Sequence, residues 1–191
     1  MAQILVLYHS GMGHTAKMAE AVHEGAASVQ GCNSTIMAIE GKDIKDGRYS
    51  NDSVFSAIDK ADAVILGSPT YMGCVSANTK AFMEATSSKY ADRSWSDKIA
   101  AGFSVSGGPS GDKLNTLQTM VVWAMQLGMI WVGLGITPFN DEGINRLSFY
   151  LGACGQAMQE PPDEKPNEED LKTGRSLGER VATIASRMKK G

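Results

Sequence analysis

The sequence predicts an α/β protein in which a doubly wound, five-stranded parallel sheet carries helices on both faces. Short apolar runs alternate with amphipathic patterns along the chain, and such alternation is typical of a parallel sheet. Glycine- and serine-rich loops follow several of the apolar runs. The 191 residues, 42% hydrophobic and 20% charged, suit one globular domain. We therefore expect a single domain over residues 1–191.

The first strand and helix have the clearest patterns. Residues 4–8 form an apolar run, as expected for a strand buried on both faces. The following stretch is predicted to be a helix because its apolar side chains recur at helical spacing, and Gly31 is the expected stop. Those side chains are Ala16, Met18, Ala19, Val22, Ala26 and Val29.

The middle of the chain continues the alternation. Residues 33–40 are predicted as the second strand, 53–62 as a short helix and 62–71 as a third strand that ends in Gly-Ser-Pro. A helix is expected over 76–88, because the Ser76 hydroxyl can accept a hydrogen bond from the first turn.

The second half adds two strands, two helices and an irregular segment. In order, we expect a strand entering a Gly/Ser loop within 98–112, a helix over 113–128, a fifth strand at 129–135 and a last helix from about 168 to 189. Residues 135–167 have little periodicity and include the acidic, proline-rich QEPPDEKPNEE. Loops of this length are usually functional or disordered. We expect a long irregular loop, either solvated or acting as a lid or a subunit contact.

Charge and composition argue against several classes of protein. The net charge of −3 gives no reason to expect binding to nucleic acid or to an anionic membrane. No apolar run approaches about 20 residues, and MAQILVLYHS lacks the basic start of a signal peptide. The cysteines Cys32, Cys74 and Cys154 are odd in number and widely spaced, which favours the cytoplasm. Since histidines and cysteines are not grouped at ligand spacings, we expect no metal site.

Three loops rich in Gly, Ser and Thr follow predicted strands. They read HSGMGHT, GSPTYMGC and SVSGGPSGD. Parallel sheets bind ligands beyond the carboxyl ends of their strands, and the fold brings these ends together. The three loops therefore predict one ligand site.

The first loop is suited to an anion. It joins a strand to a helix, and a helix start offers unpaired N–H groups and the positive end of the helix dipole. Gly11 and Gly13 allow the backbone to curl around one phosphate, while Ser10 and Thr15 add hydroxyl donors. A tight turn with a Ser or Thr cap explains the same residues, so the loop alone leaves both interpretations open.

Two other phosphate motifs were weighed. A P-loop requires a Lys where the chain has His14 and a Gly where it has Tyr8. The dinucleotide fingerprint G-x-G-x-x-[GA] does match at 11–16, with Glu40 at a plausible ribose position. However, the chain has no room for a separate substrate domain and lacks Tyr-x-x-x-Lys. A hydroxyl-lined loop without a basic residue suits a lone phosphate monoester, so we expect flavin mononucleotide (FMN).

Four motifs then resemble one known family. They are LYHSGMGHTAKMAEAV, GSPTYMGCVSANTKAFMEAT, QLGMIWVG and GRSLGERVATIA. Together they resemble the flavodoxin-like NAD(P)H:quinone oxidoreductases of the tryptophan-repressor-binding-protein (WrbA) type, over nearly the whole chain. The resemblance implies a flavodoxin-like fold, FMN, two-electron reduction of quinones by NADH or NADPH, and a dimer or tetramer.

The resemblance also implies which residues bind the flavin. The family's phosphate loop falls on Ser10, Gly11, Met12, Gly13, His14 and Thr15. Its ring-edge loop falls on Pro69, Thr70, Tyr71, Met72 and Gly73. Its third loop falls on Ser104, Val105, Ser106, Gly107 and Gly108. No side chain is expected to act as an acid, base or nucleophile because the flavin carries the chemistry. Tyr90 is expected either to line the substrate face or to be a surface or interface residue.

Three positions depart from the family pattern. Met12 replaces a Tyr, Tyr71 replaces an Arg, and Leu127 replaces a His that helps to bind flavin across a subunit contact. These departures affect the substrate side more than the phosphate side. Two alternatives therefore remain beside the enzyme: a flavodoxin-type single-electron carrier, and an FMN-binding scaffold without nicotinamide activity.

Overall fold

The computed structural model describes residues 1–190, without the side chain of Lys190, and shows strands and helices in alternation. The strands are β1 (Ala2–Tyr8), β2 (Cys32–Ala38), β3 (Ile44–Lys45), β4 (Arg48–Tyr49), β5 (Ala63–Tyr71), β6 (Cys74–Val75), β7 (Ile99–Ser106), β8 (Ile130–Trp131) and β9 (Ala153–Gln156). The helices are α1 (His14–Ala27), α2 (Asp52–Lys60), α3 (Ala77–Ala85), α4 (Ser87–Asp92), α5 (Lys113–Gln126) and α6 (Glu168–Lys190).

The central sheet is mostly parallel. Its strand order is β2-β1-β5-β7, and β8 and β9 both pair with the outer edge of β7. The short β6 pairs antiparallel with β5, while β3 and β4 form a separate hairpin. The predicted doubly wound, flavodoxin-like α/β fold is confirmed, and the carboxyl ends of β1, β5 and β7 lie side by side.

The predicted fifth strand is wrong in its extent. Only Ile130 and Trp131 pair with β7 as a strand, and the chain then turns away, with the Leu134 N–H donating to the Tyr150 carbonyl instead. The outer edge of β7 is completed by β9, which pairs with Phe103–Ser106. The segment 135–167 is therefore not wholly irregular. The sequence ACGQ of β9 gave no strand signal, because it is short and has neither alternation nor β-branched residues.

Two cores cover the two faces of the sheet. On one face α1 packs against α6, where Gly178 of α6 lets the α1 backbone approach closely and Gly174 makes room for the Met18 side chain. On the other face Phe82, Trp95 and Trp123 are buried beneath α2, α3 and α5. These cores fix the strand ends against the helix starts, which positions the loops between them.

Most helix boundaries follow the predicted signals. Ser76 caps α3 by accepting the Thr79 N–H at 3.2 Å. Helix α1 ends at Ala27, four residues before the expected stop at Gly31. At this end the Ser28 hydroxyl donates to the Gly25 carbonyl. Within the described part of the chain, no helix combines the length and apolarity that crossing a membrane requires.

Candidate flavin site

The three predicted loops meet around one cleft of about 230 Å³ at the carboxyl ends of β1, β5 and β7. Nine of the predicted residues line it: Met12, His14, Thr15, Pro69, Thr70, Tyr71, Val105, Ser106 and Gly107. Two further lining residues, Ala157 and Met158, follow β9. These two residues were not predicted, because ACGQ of β9 has no strand pattern.

The first loop presents an uncapped helix start to this cleft. Gly13 is the N-cap residue of α1, with φ 92° and ψ −26°, and no side chain caps the helix. The Ser10 hydroxyl accepts the Gly13 N–H at 3.0 Å, so it shapes the loop rather than the helix. The first turn contains no acidic residue. The positive end of the helix dipole is thus left for an outside anion.

Two glycines of this loop are closely enclosed. A Cβ at Gly11 would collide with the Tyr71 hydroxyl, and one at Gly13 would lie 2.6 Å from Pro162 Cγ. Real Cβ atoms do not approach other atoms this closely, so a side chain at Gly11 would displace the Tyr71 hydroxyl, and the left-handed φ of Gly13 adds backbone strain there. A bare, curled backbone at a helix start is the cradle that a phosphate monoester requires, and the first loop therefore fits the phosphate of FMN.

The acidic, proline-rich segment lies over the start of α1. The His14 side chain is buried, and its Nε2 lies 2.6 Å from the Glu160 carbonyl oxygen. A carbonyl can only accept a hydrogen bond, so Nε2 carries the proton. His14 therefore binds the segment with its ring and is left to bind an anion with its backbone N–H.

The second loop turns sharply beside the cleft. Met72 and Gly73 have φ values of 48° and 83°, and the Asn115 side-chain amide donates to the Gly73 carbonyl at 2.8 Å. Met72 is fully exposed, and neither Met72 nor Gly73 lines the cleft. Tyr71 reaches from this loop to Gly11 and so joins the second loop to the first.

Buried hydroxyls support the second and third loops from below. Thr70 Oγ1 lies 2.8 Å from both Ser104 Oγ and Thr116 Oγ1. Ser104 Oγ also donates to the Ser68 carbonyl at 2.8 Å. Because the Ser104 side chain is fully buried and satisfied, it does not face the cleft. The predicted Ser104 contact with flavin is thus left to its backbone.

The third loop contributes Val105, Ser106 and Gly107 to the cleft, whereas Gly108 does not line it. Gly108 and Ser106 are both bound from beneath by the side chain of Lys113, which is completely buried. Sequence reasoning gave no signal for Lys113, because lysine is usually exposed.

The structure separates Tyr90 from the cleft. Tyr90 lies on α4, is 57% exposed and lines a different groove of about 550 Å³ between α3, α4 and α5. Leu127 lines the same groove. Within one chain Tyr90 therefore does not line the cleft, and its place at the substrate face stays a prediction.

His9 begins the first loop, and its surroundings favour the neutral imidazole. His9 follows β1, and burial lowers its pKa below the usual value. Its Nε2 lies 3.0 Å from the Asn78 amide nitrogen, which can only donate, so Nδ1 carries the proton. His9 Nδ1 is buried without a partner among the described residues. Burial of His9 thus favours its neutral form beside the cleft.

Residues that could hold a metal are not clustered in the described part of the chain. No group of three or more His, Cys, Asp or Glu side chains comes together there. The cysteines Cys32, Cys74 and Cys154 are free thiols.

Comparisons with known proteins agree with this geometry. Residues 3–141 match the family model described as NADPH-dependent FMN reductase. The chain is 34% identical to Flavodoxin FldP of Pseudomonas aeruginosa, covering 98% of this chain and 99% of that protein. It is 33% identical to an NAD(P)H dehydrogenase (quinone) of Archaeoglobus fulgidus, covering 98% and 100%. Among solved structures, a WrbA-like flavodoxin from Agrobacterium tumefaciens is 38% identical, with a TM-score of 0.77 and coverage of 98% and 99%.

Proposed function

The chain belongs to the NADPH-dependent FMN reductase family and is of the WrbA type; from this premise we propose that it is an FMN-dependent NAD(P)H:quinone oxidoreductase whose flavin binds in the three-loop cleft. The observation that carries the proposal is the meeting of three strand-end loops at an uncapped helix start. When bound, FMN supplies hydride acceptance from the nicotinamide and two-electron transfer to a quinone.

The residues of the cleft divide into two groups by chemistry. The backbone N–H groups at the start of α1 and the Thr15 hydroxyl are suited to hold the phosphate. The loops at 69–71 and 105–107 are suited to border the ring, with Tyr71 as the aromatic side chain among them. Backbone donors here would stabilise negative charge at the ring edge. The protein thus binds and orients, and no side chain needs to act as an acid or base.

A second candidate function is single-electron transfer between proteins. It is favoured by the full-length similarity to a protein named Flavodoxin FldP. Against it, carriers usually display a strongly charged docking face, and this chain has a net charge of only −3. The departures at Met12, Tyr71 and Leu127 keep a third candidate, an FMN-binding scaffold, as an outcome of the test.

An anaerobic absorbance experiment separates the three candidates. The protein is loaded with FMN, freed of excess cofactor, and mixed separately with NADH and NADPH. Rapid bleaching of the bound flavin band, followed by reoxidation by a quinone, is expected of the oxidoreductase. Bound flavin that neither nicotinamide bleaches would reject that function. A stable one-electron state during dithionite titration would then identify the carrier, and its absence the scaffold.

The cellular location and the oligomeric state belong to the same proposal. We expect a cytoplasmic homo-oligomer, and fractionation of the source cells tests the location. The groove that contains Tyr90 and Leu127 also contains exposed Val122, and it is the surface that we assign to the contact between copies. Light scattering on the FMN-loaded protein measures the mass, and a monomer at micromolar concentration would reject this part.

A further inference from the structure

Lys113 occupies a position that is doubly unfavourable for a lysine. It is the first residue of α5, where the helix dipole disfavours a positive charge. Its side chain is fully buried, and an ammonium loses its hydration there. A residue that is costly in two ways calls for an explanation, and neither core packing nor helix propensity supplies one.

The contacts of Lys113 are directed at the third loop. Its Nζ donates to Ser106 Oγ at 2.9 Å and to the Gly108 carbonyl at 2.7 Å. Ser106 Oγ in turn donates to the same carbonyl at 3.3 Å, which closes a small ring of hydrogen bonds. Ser106 and Gly107 line the cleft. The side chain of Lys113 therefore fixes the turn that forms one wall of the flavin site.

The charges nearest to Lys113 leave its ammonium without a partner of opposite sign. Asp170 is engaged by Arg146, with two contacts of 2.8 Å, and by the Gln156 N–H. The Cys154 thiol is kept neutral because burial raises its pKa. The ring of Phe149 faces the ammonium at 5.6 Å. No ion pair among the described residues includes Lys113.

We propose that Lys113 is a positioning residue that holds the 106–108 turn against the flavin and, through its charge behind that turn, favours the reduced cofactor over the oxidised one. Reduction adds electron density to the flavin ring, and a nearby positive charge stabilises it. This inference rests on the proposed FMN site but not on nicotinamide activity.

The test compares affinity and midpoint potential in full-length variants. Lys113→Met removes the charge and the two donated hydrogen bonds at similar volume. Lys113→Gln keeps a hydrogen-bond donor without the charge. Lys113→Arg keeps the charge and hydrogen-bond donors. Lys60→Met is the matched control, because Lys60 is exposed on α2. FMN affinity is measured by fluorescence quenching, and the two-electron midpoint potential by dithionite titration against a reference dye.

We expect Lys113→Met to bind oxidised FMN about ten-fold more weakly and reduced FMN about a hundred-fold more weakly, a difference that lowers the midpoint potential by about 30 mV. In Lys113→Gln the affinity for oxidised FMN should fall less than the midpoint potential does. In Lys113→Arg the affinity and the midpoint potential should both be close to those of the unsubstituted protein. Lys60→Met should match the unsubstituted protein.

Equal affinity and potential in Lys113→Met and the unsubstituted protein would overturn the inference. So would failure of both neutral variants to fold, judged by circular dichroism, because Lys113 would then be a determinant of the fold and not of the site. If nicotinamides do not reduce the unsubstituted protein, the oxidoreductase proposal fails while the dithionite titration still tests Lys113.

Discussion

At the scale of single residues, Gly13 is the position where backbone conformation and ligand binding coincide. Its φ of 92° is left-handed, and Pro162 occupies the space beside it. We expect Gly13→Ala to lower the free energy of unfolding by about 1–2 kcal/mol because of the left-handed backbone. We also expect a loss of FMN affinity of at least about ten-fold, since a displaced loop misaligns the N–H groups.

Gly31 provides the matched control for this prediction. Its φ is 83°, and a Cβ there would meet no atom within 4 Å. Gly31→Ala should thus show backbone strain of a similar size in urea unfolding without any change in FMN affinity. If Gly13→Ala binds FMN as tightly as Gly31→Ala does, the first loop is not the phosphate site.

His9 gives stability a pH dependence whose sign follows from burial. Burial lowers the pKa of His9 in the folded state, so the unfolded chain, with a pKa near 6.5, binds the proton more readily. The stabilisation is then fully present above about pH 6.5 and is lost as the pH falls toward the folded pKa. We expect a lower free energy of unfolding at pH 5.5 than at pH 7.5.

The variant His9→Asn tests the assignment. It keeps a side chain that can bond to Asn78 but does not titrate. Its free energy of unfolding, measured by urea titration, should change less between the two pH values than that of the unsubstituted protein. Asp59 and Asp62 also have lowered pKa values, but they act below about pH 4. If the free energy of unfolding of His9→Asn changes between pH 5.5 and pH 7.5 as much as that of the unsubstituted protein, another group causes the pH dependence.

At the scale of elements, β9 forms the edge of the sheet behind the cleft and depends on one buried ion pair. Asp170 of α6 binds Arg146 and accepts the Gln156 N–H at 2.9 Å, so it ties α6 to the end of β9. The carboxylate is almost completely buried, with 1% of its side chain exposed. We expect Asp170→Asn to lower the free energy of unfolding by about 1.5–3 kcal/mol, because the charge-assisted hydrogen bonds from Arg146 and the Gln156 N–H would be weakened, while the Arg146 side chain, 31% exposed, stays hydrated.

Glu168→Gln is the control on the same helix. Glu168 pairs with Arg175, but its side chain is 62% exposed, and exposed pairs contribute about 0–1 kcal/mol. Chemical denaturation of both variants gives the comparison. A loss in Asp170→Asn no larger than in Glu168→Gln would mean that the buried pair does not hold β9.

Local sequence patterns predicted some of these elements and missed others. The strands ending at Tyr8, Tyr71 and Ser106 were predicted because apolar runs and glycine-rich loops are local signals, and the cleft follows from their order in the sheet. The edge strand β9 and its neighbour Met158 were not predicted, since pairing with β7 is a tertiary contact. The burial of Lys113 was missed for a related reason, because the Phe149 ring that faces its ammonium is distant in sequence.

At the scale of the whole molecule, the two family positions that a single chain leaves outside the cleft point to assembly. Tyr90 and Leu127 share the groove between α3, α4 and α5, whose lining residue Asn115 binds the Gly73 carbonyl of the second loop. Within one chain they have no role at the flavin. If copies associate through this groove, as we propose, the same residues contact a neighbouring molecule.

The last prediction concerns this assembly. Val122 lies in the groove and is 59% exposed, so Val122→Glu places a charge in the contact at little cost to the folded chain. Burying an unpaired charge is strongly unfavourable, and we expect light scattering to show a smaller species. Ser56→Glu is the control, because Ser56 is exposed on α2, and it should leave the mass unchanged.

FMN affinity should persist in Val122→Glu, because the three loops lie within one chain. Quinone turnover should fall if the groove completes the substrate side. An unchanged mass would place the contact elsewhere, and full turnover by a stable monomer would show that one chain holds the whole active site.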